Sequence, residues 1–168
     1  MNPQPQIKVF DILRAHRVPF VIVGGHAVNY HGYVRTTEDS DVIWLRSPES
    51  ENALLGALTE IGAQWTGKDI DPETGIERAR PVTLAYIRCE HLMMLFTTAG
   101  FLDLFDYIPG FPTLDVQEIY RTGVPGDDGF RYVSLKWLRQ MKQVSGRSKD
   151  LNDLANLPPE PLDDQTSI

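Results

Sequence analysis

The chain has 168 residues, 42% hydrophobic and 23% charged, which suits one ordinary buried core and excludes overall disorder. Sixteen Lys and Arg stand against 23 Asp and Glu, and the net charge of −7 excludes a broad basic face that coats nucleic acid. A lone cysteine, Cys89, excludes an internal disulfide and a Cys-rich zinc module.

The opening Met1-Asn2-Pro3-Gln4-Pro5-Gln6 has no basic region before an apolar run, so no secretory leader is expected. Residues 4–17 carry Ile7, Phe10, Leu13 and Arg14 at helical spacing, and Pro19 closes that helix. Phe20-Val21-Ile22-Val23, bounded by Gly24-Gly25, reads as a buried strand, followed by a short helix over 26–32. A second strand, Val42-Ile43-Trp44-Leu45, is entered through Asp39-Ser40-Asp41. Ser47-Pro48 starts a helix whose stripe is Ala53, Leu54, Ala57, Leu58 and Ile61. The polar, glycine-punctuated residues 66–80 predict a loop. Strands are expected at 82–87, 91–96 and from Gly100 onward, and a short helix at 113–122. After an extended piece at Phe130, Ser134 caps an amphipathic helix that Gly146 ends, and 148–157 form a last helix.

Interleaved helices and strands predict an α/β (α+β) fold, a mixed β-sheet flanked by helices with a C-terminal helical segment. Residues 1–157 are expected to form one domain and 158–168 a flexible acidic tail. No apolar stretch approaches the roughly 20 residues of a membrane span, so a cytoplasmic protein with no membrane partner is expected.

Charge is unevenly distributed. Residues 1–130 carry a net −8, 131–149 a net +6 with no acid, and 150–168 a net −5. So one-sided a segment calls for a nearby anion, its own carboxylates or a phosphate, unless it is simply a solvated helix face.

Four features could carry chemistry. Gly24-Gly25 after a strand lets the backbone come close to a ligand, although a plain strand-to-helix turn has the same look. Asp39 and Asp41, two apart in extended backbone, point to one face, where two carboxylates repel unless a cation lies between them. The other reading is a polar loop or the acidic start of an exposed strand. Asp103, inside the apolar run Leu102-Asp103-Leu104-Phe105, needs a metal or a structural partner. Asp106 lies at an odd offset and faces away from Asp103. With Leu135 at 0° on a helical wheel, Leu138 falls at about 300° and Lys142 at about 340°, on the inward face. Lys136, Arg139, Gln140 and Gln143 occupy the solvent arc. Lys142 therefore needs a carboxylate or phosphate, or must snorkel along the helix edge.

The run Val23-Gly24-Gly25, thirteen residues, then Asp39-Ser40-Asp41-Val42 resembles the signature of the DNA polymerase beta-like nucleotidyltransferase superfamily. The stretches GGHAVNYHGYVRTTEDSDV, FLDLFDYIPGF and LKWLRQMKQVSGRSKDLNDLANL are similar to its minimal nucleotidyltransferases and its abortive-infection toxin–antitoxin branch. The resemblance spans roughly residues 5–157 and implies a nucleotidyltransferase fold. It implies that Asp39, Asp41 and Asp103 are catalytic and hold Mg²⁺ or Mn²⁺. It further implies that Gly24, Gly25, Arg35, Thr36 and Lys142 bind a nucleoside triphosphate. Ser40 departs from the usual apolar residue, removing a packing contact but leaving both carboxylates in phase. The implied reaction moves a nucleotidyl group to a hydroxyl of an RNA end such as tRNA, a protein or a small molecule. An antitoxin or small helical partner is implied as well. The alternative is a catalytically silent protein of this fold that binds a nucleotide or a partner. A hydrolase on an unrelated fold lacks a nucleophile or histidine cluster, since His16, His26, His31 and His91 are scattered.

Overall fold

The computed structural model describes residues 5–160, so the acidic tail expected at 158–168 lies outside the described residues from 161 on, as does the first residue of the helix expected from position 4. Helix α1 (Pro5–Ala15) leads through a turn at Arg17 into β1 (Phe20–Ile22). Helix α2 (Gly24–Tyr30) begins at the glycines rather than after them. Strand β2 (Asp39–Trp44) takes in the acidic pair, so both carboxylates stand on the strand instead of in its approach. Helix α3 (Pro48–Glu60) starts with a reciprocal capping box between Ser47 and Ser50.

The polar segment expected to be a loop is a hairpin, β3 (Gln64–Ile70) and β4 (Glu77–Pro81). Its turn is set by Asp71, whose carboxylate accepts from the Glu73 and Thr74 N–H groups, and by Gly75 at φ 68°. β4 is an exposed edge strand, so it has no apolar face to give an alternating pattern, and charge suits such an edge. The strand expected at 82–87 is helix α4 (Leu84–Cys89). Thr83 caps it by accepting from the Tyr86 N–H, and only Ile87 is fully buried. The cap outweighs the β-leaning composition.

β5 (Leu92–Thr97) and β6 (Gly100–Phe105) form a tight antiparallel pair. After α5 (Val116–Thr122) come the short β7 (Val124–Pro125), which the pattern did not mark, and β8 (Arg131–Tyr132). Helices α6 (Leu135–Ser145) and α7 (Ser148–Asn156) are the last elements among the described residues, with Gly146 between them at φ 61°. No helix among the described residues is long and apolar enough to cross a membrane.

The eight strands form one mixed sheet in the order β4-β3-β5-β6-β2-β1-β8-β7. β2 runs parallel to β6, and β1 parallel to β8. Strand alternation then sorts the central residues. Val42, Trp44, Leu102, Leu104, Met93 and Leu95 are buried on one face, and α1 packs across β2 and β6. Asp39, Asp41, Phe101, Asp103, Met94 and Phe96 share the other face. There Met94, Phe96 and Phe101 stay exposed. That stretch of the second face is open.

Candidate active site

The site begins with a steric requirement. At Gly24 the backbone has φ 59°, and a Cβ there would lie 2.0 Å from Asp41 Oδ2. At Gly25 a Cβ would lie 2.3 Å from Thr37 Oγ1. The two glycines let Asp41 and Thr37 press against the start of α2, and the Gly25 N–H donates to the Asp41 carboxylate. Gly24→Ala combines a strained φ with a clash against the whole Asp41 side chain, from its carboxylate back to its Cβ. It is expected to lower stability by at least about 2 kcal/mol in denaturant unfolding and to dislodge Asp41.

Asp41 sits directly beside Asp103 across the β2–β6 ladder, and Asp39 follows on the same face opposite Phe101. Burial, then the neighbouring Asp39, push the Asp41 carboxyl above its ordinary range, while Lys142, the Gly25 N–H and Arg147 oppose the rise. Burial and then the charges of Asp41 and Asp39 push Asp103 up to about 6. The Asp103 carboxylate has no hydrogen-bond or cationic partner among the described residues. Asp106 is its contrast: it accepts from Arg46 Nε at 2.6 Å and pairs with His91 at 3.0 Å, a structural cluster on the other side. Between the acids, Ser40 is fully buried, its hydroxyl oxygen without a hydrogen-bond partner among the described residues.

Two hollows flank these carboxylates. A cleft of about 120 Å³ is lined by Gly24, Asp41, Lys142, Ser145, Arg147 and Asp150. A second hollow of about 180 Å³ is lined by Asp39, Asp103, Met94, Phe96 and Phe101.

Lys142 does lie on the inward face of α6, 7% exposed. Its ammonium bonds Asp150 at 2.7 Å and Asp153 at 2.8 Å, both fully buried on α7. Arg35 forks onto Asp153 through Nε at 2.6 Å and Nη2 at 2.8 Å. Arg147 Nε donates to Asp150 at 2.7 Å, and Ser145 Oγ donates to the same carboxylate at 2.6 Å. The basic segment thus finds its anion in the first acids of the segment that follows it. Three cations share two carboxylates, so the cluster keeps one positive charge over beside Asp41.

The structure therefore brings Gly24, Asp41 and Lys142 to one cleft, and Asp39 and Asp103 to the adjoining hollow. Arg35 and Thr36 line neither; Arg35 serves the cluster, and exposed Thr36 presents its carbonyl to Arg35 Nη1 at 3.1 Å. Asp150, Asp153 and Arg147 are the residues sequence reasoning missed. Their i, i+3 spacing on the helix expected at 148–157 was the available signal, but nothing local showed which face of that helix is buried. The histidines stay apart, with His31 Nε2 2.7 Å from the Val133 carbonyl oxygen and His16 on Glu60.

As they stand, no three His, Cys, Asp or Glu side chains among the described residues converge closely enough to hold an ion. The donor set nevertheless fits a hard divalent cation: three oxygen ligands on one face, mutually repelled, one without any partner.

No protein-family model and no curated protein sequence matches the chain. Among solved structures, it is similar to the solution structure of the antibiotic-resistance factor ANT(2'')-Ia, with TM-score 0.54 and 13% identity over 89% of this chain and 80% of that one. The fold is nucleotidyltransferase-like.

Proposed function

We propose that this chain is a metal-dependent nucleotidyltransferase that moves a nucleotidyl group from a nucleoside triphosphate to a hydroxyl. The observation that carries the reading is Asp103, partnerless and in register beside Asp41, with Asp39 on the same face. A structural role accounts for Asp41, which has the Gly25 N–H and two nearby cations, but not for Asp103, whose ionisation Asp41 and Asp39 only make costlier. The neighbour in fold, an aminoglycoside nucleotidyltransferase, supports the same class and adds a polyhydroxylated small molecule to the candidate acceptors.

Asp39, Asp41 and Asp103 would hold Mg²⁺ or Mn²⁺, which when bound supplies charge neutralisation at the α-phosphate and leaving group and acidifies the acceptor hydroxyl. The chain's own residues do the rest. Asp103 takes the acceptor proton, the acceptor oxygen bonds the α-phosphorus, and the α–β bridging bond breaks to release pyrophosphate. Gly24 leaves room at the cleft floor. Arg147, its side chain 75% exposed, faces the polyphosphate, while buried Lys142 fixes the position of the cleft wall.

The test is pyrophosphate release from labelled triphosphates with Mg²⁺ or Mn²⁺, offering bulk RNA and a panel of aminoglycosides as acceptors. Metal-dependent release is expected, with none in EDTA. A second reading, nucleotide binding without turnover, draws on the saturation of Lys142 and Arg35 by the chain's own carboxylates. It predicts triphosphate binding with no pyrophosphate under any acceptor. Arg147→Ala is expected to raise the triphosphate KM about tenfold in the folded variant and to lower Tm as well, since it takes a partner from the fully buried Asp150 carboxylate.

A further inference from the structure

Strand β1 has the cleft at its Gly24 end. At its Phe20 end lies a different hollow, about 400 Å³, between the end of α1, α5 and the β7–β8 hairpin. Three arginines line it, Arg14, Arg17 and Arg131, and no Asp or Glu among the described residues does. In a chain of net charge −7, that concentration is a placed feature.

Two of the arginines are held in position. Arg14 lies over the Phe130 ring at 4.2 Å and donates to the Asp128 carbonyl at 3.0 Å and to Asp11 at 2.6 Å. Arg131 lies over the Tyr120 ring at 5.0 Å and donates to the Gly123 carbonyl at 2.8 Å. The third, Arg17, is exposed and has no hydrogen bond or ion pair from its side chain among the described residues.

Arg17 also stands where helices ordinarily place glycine. Its N–H donates to the Arg14 carbonyl at 2.9 Å, and the Val18 N–H donates to the Leu13 carbonyl at 3.0 Å. Those are the paired bonds of a Schellman C-cap, whose left-handed residue is here Arg17 at φ 60°. Among non-glycine described residues it alone has positive φ. The chain accepts backbone strain to keep a partnerless guanidinium at the rim of the hollow.

We propose that this hollow binds a small phosphate monoester carried on an apolar or aromatic body. Val18, Phe20 and Phe130 supply the apolar floor, the unengaged Arg17 guanidinium supplies a fork of donors for a dianion, and Arg131 adds positive charge across the hollow. The volume falls within the roughly 300–1,000 Å³ of small-molecule sites. The site is separate from the three carboxylates and does not depend on the catalytic reading.

The experiment titrates the ¹⁵N-labelled full chain with phenyl phosphate in EDTA, which removes metal-dependent binding at the carboxylates. Shifts are expected at the amides of Arg17, Gly129 and Phe130 and not at Gly24 or Gly25. Arg17→Gly relieves the left-handed strain, so it is expected to hold or raise Tm while weakening phenyl phosphate binding at least about tenfold. Benzoate is expected to bind at least about tenfold more weakly than phenyl phosphate. Shifts confined to Gly24 and Gly25, no shifts at all, unchanged affinity in Arg17→Gly, or benzoate binding as tightly would each overturn the proposal.

Discussion

Asp103→Asn is expected to lower metal-dependent nucleotidyl transfer about a thousandfold, some 4 kcal/mol of transition-state stabilisation, while making the metal-free chain more stable at neutral pH. The two effects share one cause. Asn keeps the shape of the side chain but removes both the metal-facing charge and the proton acceptor. It also ends the repulsion with Asp41 and Asp39 that, after burial, raises Asp103 to about 6. The sign of the pH effect follows from that rise. The unfolded chain releases this proton near 3.8 and the folded chain near 6, so between those values the folded state binds more protons. Asp103 therefore weighs nothing against folding below 3.8 and its full cost is felt above about 6. Solvent around this partly exposed group screens the cost to about 1 kcal/mol. Thermal melts in EDTA should show wild type losing stability from pH 4 to 7 and Asp103→Asn losing less. Mg²⁺ should raise the Tm of wild type and not of the variant. Undiminished transfer by the variant would remove Asp103 from the chemistry.

Legibility in the sequence followed where burial leaves a pattern. β1, α3, β5, β6 and α6 were readable because each buries a continuous run or stripe, and α6 had both its cap and its glycine stop. The β3–β4 hairpin was not, because an edge with both faces wet has no apolar alternation, and its Asp71 turn looks like any polar loop. α4 was misread because Val82, Leu84 and Ile87 mimic a strand, while a single threonine hydroxyl decides for helix. In the site, the phase of Asp39 and Asp41 came from strand periodicity alone, and the inward Lys142 from the helical wheel. That Asp41 lies beside Asp103 needed the parallel pairing of two strands far apart in sequence, which no local pattern encodes. The pairing of Lys142 likewise needed α7 folded back across α6, where two acids of the expected last helix become fully buried.

That fold-back sets the second large effect. Asp153→Ala is expected to destabilise the chain by about 3–5 kcal/mol in chemical denaturation. Asp153 is fully buried and accepts from two nitrogens of Arg35 and from Lys142. Its loss leaves Lys142, 7% exposed, with only Asp150, and leaves the Arg35 fork empty. A buried ammonium that has lost one of its two carboxylates is left only partly compensated for its desolvation. Lys142→Met removes the charge together with its need for partners, so combining it with Asp153→Ala should cost less than the two singly added. Acid should act on the same cluster. Against the cost of burial, Arg147, Lys142 and Ser145 hold Asp150 at about 2, below its unfolded 3.8. Its contribution is present above 3.8 and is lost as pH falls toward 2, so wild type should lose more stability across that window than Asp150→Ala, which keeps only the lowered Asp153 in the cluster. A catalytic consequence follows from position. Arg35 Nη1 lies 3.2 Å from where a Gly25 Cβ would stand, so the cluster that pins α7 also braces the glycine turn holding Asp41. Below its own melting point Asp153→Ala should thus lose kcat as well as stability, and intact kcat in the folded variant would show that α7 braces the fold alone.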